Sequence, residues 1–156
     1  CAVQPLESLV APKAIQAMYA AIQKAAGPER QSVILAVADL GVRDFTQSMA
    51  CSLRRVGAAN RLVLVGLDPG YCKRFPRQIT CAEVPAAQKL TRAKTTYGSS
   101  AFKELMAWKL VIVSIAVMSG LTQGVLYLDA DVTVLSNPLW IARAVCGETD
   151  AAFQVN

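Results

Sequence analysis

The chain has 156 residues, of which 54% are apolar and 17% charged, and its net charge is +5. This length fits one domain, and the composition is too apolar for a disordered chain. The longest apolar run, residues 110–121, is shorter than the roughly 20 residues of a membrane-spanning helix. The sequence has no histidine and no C-x-x-C pair, which leaves a zinc site few ligands.

Five cysteines allow at most two disulfides and one free thiol; they are Cys1, Cys51, Cys72, Cys81 and Cys146. Cys72 and Cys81 could close a loop. The spacing alone does not decide whether they pair, so the redox compartment stays open at this point.

Positive charge is concentrated between residues 54 and 94, where nine basic residues stand against two acids, Asp68 and Glu83. Such a field favours anionic partners, namely phosphates, nucleotides, acidic membranes or nucleic acid. Few aromatic residues are interleaved, so a stacking platform for single-stranded nucleic acid is not indicated. A solvated basic surface is the alternative interpretation.

Hydrophobic periodicity predicts helices that alternate with apolar strands. The predicted helices are 12–26, 42–57, 101–119 and 137–145; the predicted strands are 32–39, 61–68, 79–84 at an edge, 124–129 with a short extension at 132–135, and 151–155. Residues 85–100 are a candidate mobile loop. The alternation predicts an α/β fold with a mostly parallel sheet, its strands buried on both faces. No glycine-rich phosphate loop is present.

Three of the predicted strands end in an acid: Asp39, Asp68 and Asp129. Ligands of open α/β sheets bind beyond the carboxyl ends of the strands, so these acids are candidates for a site. The structural alternative for Asp39 and Asp68 is that each caps nearby backbone N–H groups.

Asp129 is followed two residues later by Asp131, in VLYLDADVTVLSNPL (residues 125–139). Residues two apart on an extended chain point the same way, and neighbouring carboxylates repel unless a cation lies close by. Mg²⁺ or Mn²⁺ removes that repulsion, and such ions are held by one or two carboxylates together with substrate phosphates. The pair therefore predicts a metal and phosphate site.

LYLDADVTV resembles the opening motif of the haloacid dehalogenase-like phosphatases, D-x-D-x-[TV]. The resemblance implies that Asp129 is a nucleophile and Asp131 an acid/base. That family, however, places this motif at the start of its core domain. Here only 25 residues follow Asp131, and none of them is lysine.

A broader resemblance, to the nucleotide-sugar glycosyltransferases of the GT-A fold, covers roughly residue 32 to the end. Residues 107–141 resemble that family's lysine-bearing apolar helix, buried strand, D-x-D, apolar strand and Asn-Pro turn. Residues 32–68 resemble its first strand, helix and second strand. The chain is most similar to the glycogenin-like and the plant and algal arabinosyl- or galactosyl-transferase-like members. The resemblance implies a GT-A-like sheet with helices on both faces.

The same resemblance implies particular roles. Asp131 would coordinate Mn²⁺ (or Mg²⁺) that bridges the donor diphosphate, and Asp129 would bind the ribose or share the metal. Lys109 would reach a diphosphate oxygen, and Ala38 and Asp39 would lie against the base and the ribose. The implied nucleotide-sugar site comprises Ala38, Asp39, Lys109, Asp129, Ala130 and Asp131. The alternative for Lys109 is a lysine that snorkels from an apolar helix face.

The implied activity is transfer of a sugar from a nucleoside-diphosphate sugar, UDP-sugar favoured, to a glycan or glycoprotein acceptor. Members of that family work in the Golgi lumen, which is therefore the expected location, with the cytoplasm as the alternative. Attachment to a membrane is expected only through a segment absent from this chain. Nucleic acid is not expected as a partner. Residues 1–30 are expected to be a helical lead-in, and 31–156 a donor-binding domain truncated at its C-terminal end. Because the acceptor half and a metal-binding histidine are missing, a non-catalytic nucleotide-binding subunit is a further alternative.

Overall fold

The computed structural model describes residues 10–85 and 98–146. Their helices and strands are, in chain order, α1 (Pro12–Ala26), β1 (Val33–Ala38), α2 (Arg43–Arg55), β2 (Leu62–Gly66), β3 (Thr80–Glu83), α3 (Ser100–Met118), β4 (Val125–Tyr127) and α4 (Pro138–Cys146). Each predicted element within these residues is confirmed except the short extension at 132–135. The predicted strand at 151–155 and residues 86–97 of the predicted loop lie outside the described residues.

The four strands form one parallel sheet in the order β3-β2-β1-β4. The predicted α/β fold with a parallel sheet is thereby confirmed, and among the described strands β3 lies at an edge, as predicted. In the register, Ala38 at the end of β1 lies opposite Gly66 at the end of β2. Leu35, in the middle of β1, lies opposite Tyr127 at the end of β4.

Helices cover both faces of the sheet. All six residues of β1 are buried, and they alternate between two apolar clusters. One cluster contains Val33, Leu35 and Val37 with α1 and α3; the other contains Ile34, Ala36 and Ala38 with α2. This explains why β1 is a continuous apolar run, since neither of its faces meets water.

Helix α1, in the segment that the sequence assigns to a lead-in, packs directly on the sheet. Met18 and Ile22 are buried in the same cluster as Val63 of β2. Pro12 stands at the helix start, and Gly27 follows its end with φ +68°, a conformation that glycine adopts without strain.

β4 differs from its prediction. It has only three residues, each of them half-buried, and in the described part of the sheet it pairs with β1 alone. The predicted strand extension at 132–135 is wrong. After a turn at Ala130 and Asp131 the chain runs toward α2 instead, where the Val134 N–H donates to Ser52 Oγ at 3.0 Å.

Cys72 and Cys81 form a disulfide that closes the segment before β3, and Cys51 is a free, exposed thiol. Among the described residues no helix has both the length and the apolar character needed to cross a bilayer.

Candidate functional site

The four described strands define one switch point in the sheet. From β1 the chain moves outward to β2 and then β3, and it later returns to the other side of β1 to form β4. Ligands of such sheets bind in the crevice outside the carboxyl ends of the strands at that point. Asp39 follows β1 directly and Asp129 follows β4 within two residues, so both acids flank the crevice.

A cleft of about 430 Å³ lies at this switch point, between the strand ends and α3. All six residues implied by the glycosyltransferase resemblance line it: Ala38, Asp39, Lys109, Asp129, Ala130 and Asp131. They come from three separate elements, so the fold brings together what the sequence spreads over more than ninety residues.

Lys109 and Asp129 form an ion pair across the cleft, with 2.6 Å between Lys109 Nζ and Asp129 Oδ1. The lysine side chain is 18% exposed and the aspartate 52%. The Tyr127 hydroxyl donates to the same Oδ1 at 3.0 Å, and Lys109 Nζ lies 6.0 Å from the centre of the Tyr127 ring. Lys109 is therefore not a snorkelling lysine but a partner of the first acid of the motif.

This environment shifts two pKa values in opposite senses. Burial acts to raise the pKa of Asp129, but the hydrogen bond and charge of Lys109 and the hydroxyl of Tyr127 outweigh it, so that pKa is lowered. Burial first, and then the charge of Asp129, raise the pKa of Tyr127. Asp129 is therefore ionised at neutral pH and Tyr127 is a neutral donor to it.

The two carboxylates of the motif flank a turn rather than lying on an extended chain, but both line the same cleft. The Val132 N–H reaches back to the Asp129 carbonyl at 3.4 Å, and Ala130 between them is buried against the core. Asp131 is exposed, and within the described ranges its side chain makes no hydrogen bond or ion pair. The buried alanine holds the turn while its flanking acids face the cleft.

The other two strand-end acids have structural partners. Asp39 Oδ1 accepts from the N–H groups of Gly41 at 2.9 Å and Val42 at 3.2 Å, so it caps the turn after β1 while also lining the cleft. Asp68 is 4% exposed and accepts from the Leu40 N–H at 2.6 Å. The capping alternative is confirmed for Asp39, whereas Asp68 bonds to the loop after β1, and Asp68 does not line the cleft.

Sequence reasoning missed Tyr127 and the apolar wall of the cleft. The wall comes from α3, where Phe102, Leu105 and Met106 line the cleft beside Lys109. Positions 102, 105, 106 and 109 follow the spacing of one helix face, a signal that was available. Tyr127 lies two residues before Asp129, the spacing that places both side chains on one side of a strand.

The donor set fits a hard divalent cation only in part. Asp129 and Asp131 supply carboxylate oxygens, the ligands that Mn²⁺ and Mg²⁺ prefer. In residues 10–85 and 98–146 no group of three or more His, Cys, Asp or Glu side chains is arranged to hold a metal. A cation bound here would therefore need a ligand's phosphate oxygens and water to complete its coordination.

Comparison with protein-family models, with curated proteins and with solved structures finds no match to this chain. The chemistry that the cleft supports therefore has to follow from its own residues.

Proposed function

We propose that this chain binds a nucleoside-diphosphate sugar, with Mn²⁺ or Mg²⁺, at the switch-point cleft, as the donor-binding part of a glycosyltransferase. One observation carries the proposal. A divalent-cation motif, a lysine and an apolar helix face meet in one cleft, at the edge of a parallel sheet where such folds bind nucleotides.

The lining residues supply what each part of such a donor needs. Phe102, Leu105 and Met106 offer an apolar wall to the flat faces of a base, and Asp39 offers a carboxylate to ribose hydroxyls. At the other end, Asp131 has no competing partner in the described chain and is free to ligate a cation. Lys109 is close enough to Asp129 to exchange that carboxylate for a diphosphate oxygen when a donor binds.

A divalent cation in the cleft would neutralise the charge that grows on the leaving diphosphate as the glycosidic bond breaks. Lys109 would add a second positive charge on the same diphosphate. Asp129, held ionised by Lys109 and Tyr127, would be ready to share the cation without first losing a proton. The chain's contribution is thus to hold a pyrophosphate and stabilise its departure.

Metal and nucleotide binding are expected to depend on each other, because two carboxylates alone are a poor metal site. Calorimetry should show weak binding of Mn²⁺ alone and of UDP alone, and binding at least about tenfold tighter when both are present. Mn²⁺ that binds equally well with and without UDP would contradict a shared site.

The decisive variant is Asp131→Ala, which removes an exposed carboxylate without a structural bond. It should abolish the metal-dependent part of UDP binding and leave the melting temperature unchanged. Glu104→Ala is the matched control, since Glu104 is an exposed acid of α3 that makes no ion pair in the described ranges and does not line the cleft. If both variants bind UDP and Mn²⁺ like the unmodified chain, the proposed function is wrong.

The reaction itself is tested separately by incubating UDP-sugars with the chain and Mn²⁺ and measuring released UDP. Release that is lost in Asp131→Ala supports catalysis by this chain, whereas donor binding without release supports a nucleotide-binding subunit. The disulfide Cys72–Cys81 supports a location in the secretory pathway, since such bonds persist in oxidising compartments.

One observation favours a phosphatase as the second candidate. Asp129 is half-exposed, ionised and paired with a cation, which are the properties of a carboxylate nucleophile. Its carboxylate would attack phosphorus, the bond to the leaving alcohol oxygen would break, and that oxygen would take a proton from Asp131, the acid/base that the phosphatase resemblance implies. A hydroxylamine-labile phosphoryl group on Asp129 after treatment with acetyl phosphate would favour this candidate over the transferase.

A further inference from the structure

A second cleft, of about 610 Å³, lies between α1 and the segment closed by the disulfide Cys72–Cys81. It borders the start of β3, the strand at the opposite side of the sheet from β4 and the switch-point cleft. Three basic side chains line it, Lys24 from α1 and Lys73 and Arg77 from the disulfide-closed segment, and among residues 10–85 and 98–146 no acid does. We call it the basic cleft.

The acids that interrupt the basic stretch of the sequence do not neutralise this cleft. Asp68 is buried and bonded to the Leu40 N–H. The carboxylate of Glu83 accepts from two backbone N–H groups, those of Gly70 and Cys72, each at 3.0 Å. Both carboxylates therefore stabilise loops through hydrogen bonds to backbone N–H groups and do not pair with the cations of the cleft.

The described ranges contain two ion pairs, Arg43–Asp44 and Lys109–Asp129, and neither involves a residue of the basic cleft. Lys24, Lys73 and Arg77 thus have no carboxylate partner within that part of the chain. Like charges at one place repel, and an anion between them would relieve that repulsion.

The walls of the basic cleft are partly apolar, and the segment that forms one of them is fixed. Ala17 and Ala20 form one side, and the buried Phe75 with Ile79 forms the other. A cleft with low-dielectric walls and charges of one sign concentrates the electric field inside it. The disulfide and the two bonds to Glu83 hold the segment that carries Lys73, so little ordering is required when a ligand enters.

We propose that the basic cleft binds a compact oxyanion, phosphate or sulfate, either free or carried on a sugar. A concave site with three cations suits a small group of two negative charges better than a flat membrane surface. This site is independent of the proposed nucleotide site, because it needs neither a metal nor Asp131.

The test is titration of the chain, in EDTA, with inorganic phosphate, with glucose 6-phosphate and with uncharged glucose, followed by amide chemical shifts. Lys73→Gln/Arg77→Gln removes two cations of the cleft. Arg54→Gln/Arg55→Gln is the matched control, since it removes two exposed cations at the end of α2 that do not line the cleft. All four side chains are exposed, so each double variant should keep the parent's melting temperature.

We expect saturable binding of both phosphates, weakened at least about tenfold in Lys73→Gln/Arg77→Gln and less than about twofold in the control. Tighter binding of glucose 6-phosphate than of phosphate would identify a sugar-borne oxyanion, and equal binding a free one. The proposal is overturned if glucose binds as tightly as its phosphate, if both double variants lose affinity equally, or if no binding saturates. Phosphate binding that persists in Asp131→Ala separates this site from the nucleotide site.

Discussion

Lys109 Nζ of α3 lies 2.6 Å from Asp129 Oδ1, the first carboxylate after β4. This ion pair connects the helix that covers the switch-point cleft with the D-x-D turn on its opposite wall. Exposed ion pairs contribute about 0–1 kcal/mol to stability. Because Asp129 is half-exposed, the pair adds little to the free energy of unfolding. The pair matters for binding: when a metal and a diphosphate enter the cleft, Asp129 would exchange Lys109 for the metal, and Lys109 would exchange Asp129 for the diphosphate.

Lys109→Gln should therefore change two affinities in opposite directions. Binding of Mn²⁺ alone should become tighter, because Asp129 no longer has a positive neighbour that repels the metal. Binding of UDP with Mn²⁺ should become weaker, because the diphosphate loses a cation. Calorimetry with Mn²⁺ and with Mn²⁺ plus UDP measures both. Lys103→Gln, an exposed lysine on the same helix that does not line the cleft, is the control. A loss of both affinities would place Lys109 in a purely structural role.

Much of this site was predictable because its residues stand where apolar runs end. The run in β1 is continuous since helices cover both its faces, and that pattern locates Ala38 and Asp39 at the sheet edge. The pairing of Lys109 with Asp129 was not predictable. The two residues are 20 positions apart and belong to different elements, and the hydrophobic periodicity of each element does not show how the two pack together.

The conformation of the segment after β4 was likewise not predictable from the local sequence. Val132 and Val134 read as strand residues, and alternation alone favours a strand there. The partner of the Val134 N–H, however, is Ser52, which is 82 residues earlier in the chain, and this contact directs the segment toward α2. Tertiary bonding of this kind overrides local preference, and it converts the D-x-D from part of a strand into a turn.

Removal of the disulfide should cost about 2.5 kcal/mol of unfolding free energy, the chain-entropy value for a loop of this length. Urea unfolding of Cys72→Ser/Cys81→Ser should show this loss, and reduction of the unmodified chain should reproduce it. Cys51→Ser is the control, because Cys51 is exposed and free and should change stability by less than about 0.5 kcal/mol. An equal loss in both variants would mean that the disulfide adds nothing. The double variant should also weaken phosphate binding at the basic cleft.

Gly66→Ala should destabilise the chain, because β2 ends where Tyr71 packs across it. A methyl group at this position would lie 2.5 Å from Tyr71 Cβ and Cγ, and Tyr71 is fully buried. Overpacking of this kind costs about 1–3 kcal/mol, measured as a lower urea midpoint. The same substitution in a Tyr71→Gly background should cost far less, because both the Cβ and the ring that obstruct the methyl are gone. Equal costs in the two backgrounds would show that the obstruction lies elsewhere.

Tyr71 also predicts an alkaline limit to stability. Burial raises its pKa from 10.0 to about 12, opposed in part by its hydrogen bond to Thr46 and aided by the charges of Asp39 and Asp68. The unfolded chain therefore loses this proton at lower pH than the folded chain does. The stabilisation is fully present below about pH 10 and declines by about 1.4 kcal/mol per pH unit up to the folded pKa.

Tyr71→Phe should remove this part of the pH dependence. At neutral pH the variant loses about 1 kcal/mol with the hydrogen bond, whereas Thr46 Oγ still donates to the Val42 carbonyl at 3.0 Å. Above pH 10 its unfolding free energy should fall less steeply than that of the parent, and the two curves should converge. Urea unfolding between pH 8 and about 11.5, with Cys1, Cys51 and Cys146 replaced by serine in both chains to prevent disulfide exchange, measures the slopes. Parallel curves would show that Tyr71 ionises equally easily in the folded and unfolded states.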